Sequence, residues 1–233
     1  MKFIVEKEVF DKLENVCFGV VVAKGIDNTK EIERINNLLD ISIDRVEDYF
    51  KDKKVKESEE IVPYREAFRS LGMNPNKFMS SIEAMTTRVA KNKKLPHINP
   101  IVDLGNSISL KYLLPMGAHD MDFRNDDVYV RFSKKGDKFV PFGETDAELM
   151  EEGELIYSVG DMVKTRRWIW RQGEEGKITN SSKNIFFPID GFTDANLDKV
   201  MSAREELAKL LKEIFNCEIK VGFVDKDNPE MEI

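Results

Sequence analysis

His119-Asp120-Met121-Asp122 puts an imidazole and two carboxylates within four residues. Those types make a general base steadied by an acid, or two-thirds of a metal site. Upstream, Asp103 and Asn106 stand three apart, so on a helix they share a face. They lie among apolar residues at 101, 102, 104, 108, 110, 113 and 114. Polar groups so placed need partners, as a satisfied core network or as the wall of a ligand pocket. A third candidate is Lys164-Thr-Arg166-Arg167-Trp168-Ile-Trp170-Arg171. On a strand, Arg166, Trp168 and Trp170 face one way and Arg167, Ile169 and Arg171 the other. Guanidinium groups suit phosphates and aromatic faces suit unpaired bases, but the same pattern also describes buried tryptophans with solvated arginines. Arg88-Val-Ala-Lys91-Asn-Lys93-Lys94 is a second basic patch. His97, between Pro96 and Ile98, has a weaker claim, and Ser181-Ser182 after Thr179-Asn180 reads as the closure of a turn.

The elements that must hold these groups follow from periodicity. Lys2 to Val5 and Val16 to Ala23 have strand texture, with a helical turn at Val9 to Leu13. Ile32 to Phe50 repeats at helical spacing, and Asp48 to Glu60 is a charged helix end or loop. Val62 to Gly72 reads as a short helix opened by Pro63 and stopped by Gly72. Asn74-Pro75 starts the next, with Phe78, Ile82, Met85 and Val89 on one face; a fourth helix covers 99–114 and ends at Pro115. Asp127 to Phe132 and Lys138 to Phe142 read as a hairpin. Glu154 to Val159, Met162 to Trp170 and Asn184 to Ile189 continue as strands, then a helix at Asp194 to Phe215, a strand at Glu218 to Val224 and a frayed tail. The expectation is one α+β domain over 1–233, helices mainly in the first half and a largely antiparallel or mixed sheet in the second, with a C-terminal helix and strand.

Composition sets the limits. With 41% hydrophobic and 34% charged residues, the chain reads as an ordinary globular protein. No apolar run approaches the ~20 residues of a membrane span, and Met1 to Glu6 lacks a signal-peptide core, so a cytoplasmic protein with no membrane partner is expected. Two cysteines, Cys17 and Cys217, read as buried thiols, and with two histidines they argue against a structural zinc site. A net charge of −7 argues against a protein that coats nucleic acid, though not against a local basic groove. No phosphate-binding Gly-x-x-x-x-Gly-Lys, dinucleotide Gly-x-Gly-x-x-Gly or Gly-x-Ser-x-Gly elbow occurs, so neither ATP chemistry nor a cofactor is expected.

Ile98-Asn99-Pro100-Ile101-Val102-Asp103-Leu104-Gly105-Asn106, followed by Pro115-Met-Gly-Ala-His-Asp120-Met-Asp122, resembles the tRNA-binding and editing module of the phenylalanyl-tRNA synthetase beta subunit, and freestanding relatives of it still more. Tyr64 to Gly72, Ser81 to Ala84 with Arg88, Arg167 to Gln172 and Thr179 to Phe187 extend the likeness over roughly residues 60–190. No catalytic synthetase core accompanies these blocks, so a ligase is not implied. The resemblance implies a trans-acting deacylase that takes the aminoacyl end of tRNA and its amino-acid moiety, without cofactor or metal. It assigns Asp103, His119 and Asp120 to catalysis, Asp103 or Asp120 orienting water or holding the substrate amine. Asn99, Asn106, Ser107, Gly117, Trp170 and Ser181 go to the substrate, and Arg65, Arg88, Lys93, Lys94, Arg166, Arg167 and Arg171 to tRNA. The family's editing histidine falls at Gly117, with His119 at an aromatic position of the motif, and its editing glutamate falls near Pro188. Hydrolysis would then lean on the tRNA's own hydroxyl and backbone donors. Two other readings stay open: a non-catalytic module for tRNA ends or amino acids, and a metal-dependent hydrolase using His119, Asp120 and Asp122.

Overall fold

Phe3 and Val5 are buried on alternate positions of β1 (Lys2–Val5), which leads through α1 (Lys7–Lys12) to β2 (Val16–Lys24). Burial in β2 is unbroken from Val16 to Ala23, as in a strand covered on both faces. The computed structural model describes residues 1–91, 95–122 and 126–233. α2 (Glu33–Phe50) turns Ile35, Leu39, Ser42, Val46 and Phe50 inward at intervals of three and four. A 3-10 turn at Val55–Glu57 buries Val55 within the charged stretch. α3 (Val62–Ser70) carries Pro63 in its first turn and is followed by Gly72 at φ 75°. α4 (Ser81–Ala90) begins later than Asn74-Pro75 suggests. Asn74 folds into a turn that accepts from the Asn76 N–H (2.9 Å), and Ser80 caps the helix by accepting from the Glu83 N–H (3.3 Å). α5 (Pro100–Tyr112) starts at the Asn99 cap and ends on Leu113 in the left-handed region.

After α5 come β3 (His119–Asp120), β4 (Val128–Phe132), β5 (Lys138–Phe139), β6 (Glu148–Leu149), β7 (Leu155–Val159), β8 (Met162–Arg166) and β9 (Arg171–Gln172). β10 (Asn184–Phe192), α6 (Leu197–Phe215), β11 (Glu218–Val224) and β12 (Glu230–Glu232) complete the order. One sheet runs β12-β1-β4-β7-β8-β5-β6, with β9 on β8, and is mixed because β1–β4 and β5–β8 pair in parallel. The other, β11-β2-β10-β3, is antiparallel. The α+β class and the placing of helices agree with the sequence expectation.

Three local expectations are corrected. β4 and β5 form no hairpin. The Arg131 guanidinium draws the buried Asp137 back under β4 (2.7 and 2.8 Å), so the chain leaves the turn away from its predecessor and β5 joins β8 instead. The strand predicted over Met162 to Trp170 stops at Arg166, and Arg167 and Trp168 adopt φ of 47° and 61°. The tail is pinned rather than frayed: β12 closes the open edge of β1, and Ile233 is buried.

Phe3 and Tyr157 of the first sheet meet Phe18 and Phe186 of the second, with Phe3 lying 5.6 Å from Phe18 and 4.9 Å from Phe186 between ring centres. α6 covers the second sheet's other face, and the close approach needs glycine. A Cβ at Gly19 would stand 2.9 Å from Val200 Cγ1, and one at Gly191 would stand 2.3 Å from Val200 Cγ2.

Candidate active site

Beyond the left-handed Leu113 that ends α5, the chain from Pro115 runs beside β10. Asp190 N–H donates to Pro115 O (3.0 Å), Gly117 N–H to Pro188 O (3.0 Å), and β3 pairs with Ile185 and Phe186. Gly117 and Pro188, 71 positions apart in the chain, are therefore direct neighbours. A Cβ at 117 would lie 2.9 Å from His119 Nε2 and 3.2 Å from Pro188 Cγ. The imidazole of His119 fills the space a side chain at 117 would need. That ring is buried and stacked on Tyr157 (5.6 Å between centres, 24° between planes), and its Nδ1 has no hydrogen-bond partner among the described residues. Burial, with help from Lys164, pulls its pKa down to about 3, so it is neutral at ordinary pH.

Asp190, which lines the same cavity as His119, interrupts the apolar run of Ile185 to Phe192 and is buried. Its Oδ1 accepts from the Tyr157 hydroxyl (2.6 Å) and the Trp168 indole N–H (2.6 Å). Burial raises its pKa to about 7 against those two bonds, which favour the ionised form. The left-handed backbone at Arg167 and Trp168 turns the indole in towards Asp190, while the Trp168 N–H donates to Leu155 O (2.6 Å). A bulky residue at positive φ stores strain that the surroundings must hold in place. α3 adds the Tyr64 hydroxyl on Asp190 O (2.9 Å). Gly117, His119, Asp190, Trp170, Arg171 and Gln172 are among the walls of a cavity of about 80 Å³.

The other candidates fall elsewhere. Asn99 caps α5 by accepting from the Val102 N–H (3.0 Å), and the buried Asp103 accepts from the Ile98 N–H (2.9 Å) and meets His97 Nδ1 (3.1 Å). These groups border a separate polar pocket of about 260 Å³ with Asn28, Asn36 and Asn180. Asn106 is half-buried, and the Ser107 hydroxyl donates to its own helix at Leu104 O (2.9 Å). Asp120 accepts from the Ser182 hydroxyl and the Asp122 N–H, while Asp122 holds Asn184 Nδ2 (2.6 Å). Ser181 is exposed in that turn. Among the described residues no group of three His, Cys, Asp or Glu side chains suits a metal ion, so His119, Asp120 and Asp122 do not form the triad of the metal reading.

The arginines divide as well. Arg65 is buried in an ion pair with Glu83 and reaches Asn76 (2.6 Å), which ties α3 to α4. Arg166 grips Glu154 through Nε (2.9 Å) and a terminal nitrogen (3.0 Å). Arg167 meets Glu154 at 3.1 Å and lies over Phe78 and Trp170. Arg88 and Arg171 lie at the surface, and Lys93 and Lys94 fall outside the described residues. The sequence reading missed Asp190 and Tyr157. The available signal was a lone acid inside Ile185 to Phe192, where a charge has no place without a task.

Residues 63–216 match the family model described as the B3/4 domain. The chain belongs to the B3/4 domain family. It is 28% identical over 181 residues to the phenylalanine–tRNA ligase beta subunit of Fusobacterium nucleatum subsp. nucleatum, covering 75% of this chain and 19% of that protein. The same subunit from Streptococcus mutans serotype c is 30% identical over 112 residues, 48% of this chain and 14% of the relative. This B3/4 domain thus spans under a fifth of the curated relatives it matches. An N-terminal fragment of the phenylalanyl-tRNA synthetase beta subunit from Pyrococcus horikoshii shares the fold, with TM-score 0.50 and 13% identity over 92% of this chain and 49% of that one. No helix among the described residues is long and apolar enough to cross a membrane.

Proposed function

We propose that this B3/4 domain binds the aminoacyl end of tRNA and hydrolyses mischarged aminoacyl-tRNA in trans, in the cytoplasm. One observation supports it above the rest: a small cavity that a side-chain-free backbone at Gly117 lines together with a neutral imidazole and a buried carboxyl group. An ester carbonyl can approach the chain closely only where no Cβ intervenes. A cavity of about 80 Å³ has room for an amino-acid side chain. His119 is a weak base, so its part is to hold a water by accepting a hydrogen bond, while the ribose hydroxyl next to the ester assists proton transfer. Water adds to the carbonyl carbon, the bond to the ribose oxygen breaks, and that oxygen takes the proton. In this reading Trp170 and Arg171, on the cavity wall, receive the terminal nucleotide, and the surface residue Arg88 serves as a phosphate contact.

Incubation with a panel of tRNAs mischarged with small amino acids tests the reading. Release of the amino acid, lowered about 100-fold in kcat by His119→Phe with tRNA affinity kept, is expected. Intact esters throughout at micromolar protein overturn catalysis. The second reading, a binding module without turnover, draws on the low basicity of His119; retained tRNA end binding without hydrolysis would favour it.

A further inference from the structure

We infer that Asp190 is the receptor for a primary ammonium group, the α-amino group of the aminoacyl ester, which is a role the sequence pointed to Asp103 or Asp120 for. The inference rests on the deacylase reading for the identity of its ligand and on geometry for the rest. Both donors to Asp190, the Tyr157 hydroxyl and the Trp168 indole, end on Oδ1, and the residue lines the cavity. Oδ2 accepts from neither, and Asp190 forms no ion pair among the described residues. The side chains that bond or pack against it are uncharged at neutral pH, and the Lys164 ammonium on β8 acts on His119. His119 comes from β3, Tyr157 from β7, Trp168 from the turn after β8, Tyr64 from α3, and Asn196 precedes α6 and bonds Tyr64 (3.0 Å). On β2, the Cys17 thiol is pushed up to about 12 by burial and by Asp190 itself. Arg171, the cation on the cavity wall, is exposed and lies over Trp170.

A buried carboxylate with no counter-charge is costly until a cation reaches it. Two neutral donors on one oxygen hold the carboxyl plane still and leave the other oxygen presented, which is preorganisation for a point charge. The strained turn at Arg167 and Trp168 keeps one of those donors in place. By contrast Asp103 and Asp120 have their oxygens taken by backbone, histidine or serine groups. A pKa near 7 adds a consequence: the receptor is half empty of charge at neutrality and gains affinity for an ammonium as pH rises from 6 to about 7, until the α-amino group itself begins to lose its proton.

The test uses calorimetry with four probes: 3′-deoxy-3′-alanylamino-adenosine, its N-acetyl derivative, its lactyl counterpart with a hydroxyl in place of the amine, and alaninamide. The free amine should bind at least ~30-fold more tightly than the acetyl or lactyl compound. Asp190→Asn, which keeps an acceptor for Tyr157 and Trp168, should shrink that preference to within ~3-fold with little loss of stability. Equal binding of alanyl and lactyl compounds overturns the receptor and leaves the deacylase standing. Asp190-dependent binding of alaninamide, with no gain from adenosine, upholds the receptor and removes the tRNA end from the reading. No binding of any amine at millimolar concentration, or an amine preference unchanged in Asp190→Asn, overturns the receptor.

Discussion

Two pockets hold carboxylates beside histidines in this protein, and they are built on opposite principles. At the start of α5, Asp103 is buried but satisfied: a backbone N–H and His97 take its oxygens, and asparagines line the space around it. Between the sheets, Asp190 and His119 are buried with bonds left unmade among the described residues, the first without a counter-charge and the second with an idle Nδ1. A satisfied network stabilises the fold around it, whereas an unsatisfied one stabilises whatever completes it. Burial alone does not separate function from structure; the remaining bonding capacity does.

The comparison can be broken from the cavity side first. Trp168→Ala should cost ~3–5 kcal/mol in urea unfolding, since it empties a fully buried site and strips Asp190 of a donor. A loss under 1 kcal/mol would mean that the strained turn is not holding the cavity. Gly117→Ala comes next at ~1–3 kcal/mol, because the new methyl would press on His119 Nε2 and Pro188 Cγ. Deacylation should fall with it, and full activity in a stably folded variant would remove Gly117 from the site.

A pH series sharpens the contrast. Burial holds His119 at about 3 against its usual 6.5 and Asp190 at about 7 against its usual 3.8. Unfolding near pH 5 therefore takes up a proton at His119 and releases one at Asp190, so the two slopes oppose between about pH 4 and 6.5. In Asp190→Asn only the histidine slope remains from this pair, and stability should climb with pH up to about 6.5, approaching tenfold in the folding equilibrium per unit. In His119→Gln the carboxyl remains, and stability should fall as pH rises from about 4 through 7. Denaturant midpoints across pH 4–8 read both, and identical profiles for the two variants would refute the assignment. The smallest effects belong to the satisfied pocket. Asn99→Ala should cost ~1 kcal/mol through the lost cap, and Asp103→Asn less, neither altering deacylation. A large loss of turnover in Asp103→Asn with unchanged stability would move the chemistry to α5.

Much of the fold was legible. Periodicity placed β1, β2, α2, α3, α5, α6 and β11 because each has one apolar face or a continuous apolar run. The hairpin at 127–142 was misread because a buried ion pair, Arg131 with Asp137, turned the chain, and paired charges leave no periodic trace. The strand through Trp170 failed because nothing local marks Arg167 and Trp168 for positive φ; a partner 22 residues away, Asp190, draws the indole inward. At the site, the block from Pro115 to Asp120 was found, yet only one of its two polar side chains, His119, faces the cavity. Strand alternation sends Asp120 to Ser182 instead.

By itself the sequence determined which segments bury themselves and that the class is α+β, and it singled out Gly117 and His119 within one short block. Only the tertiary structure decided that Gly117 and His119 meet Pro188, and that Asp190 rather than Asp103 lines the cavity they share. The reason is that pattern reports how each segment divides between core and water, a local property. A carboxylate's charge state depends on what the rest of the chain brings to its two oxygens.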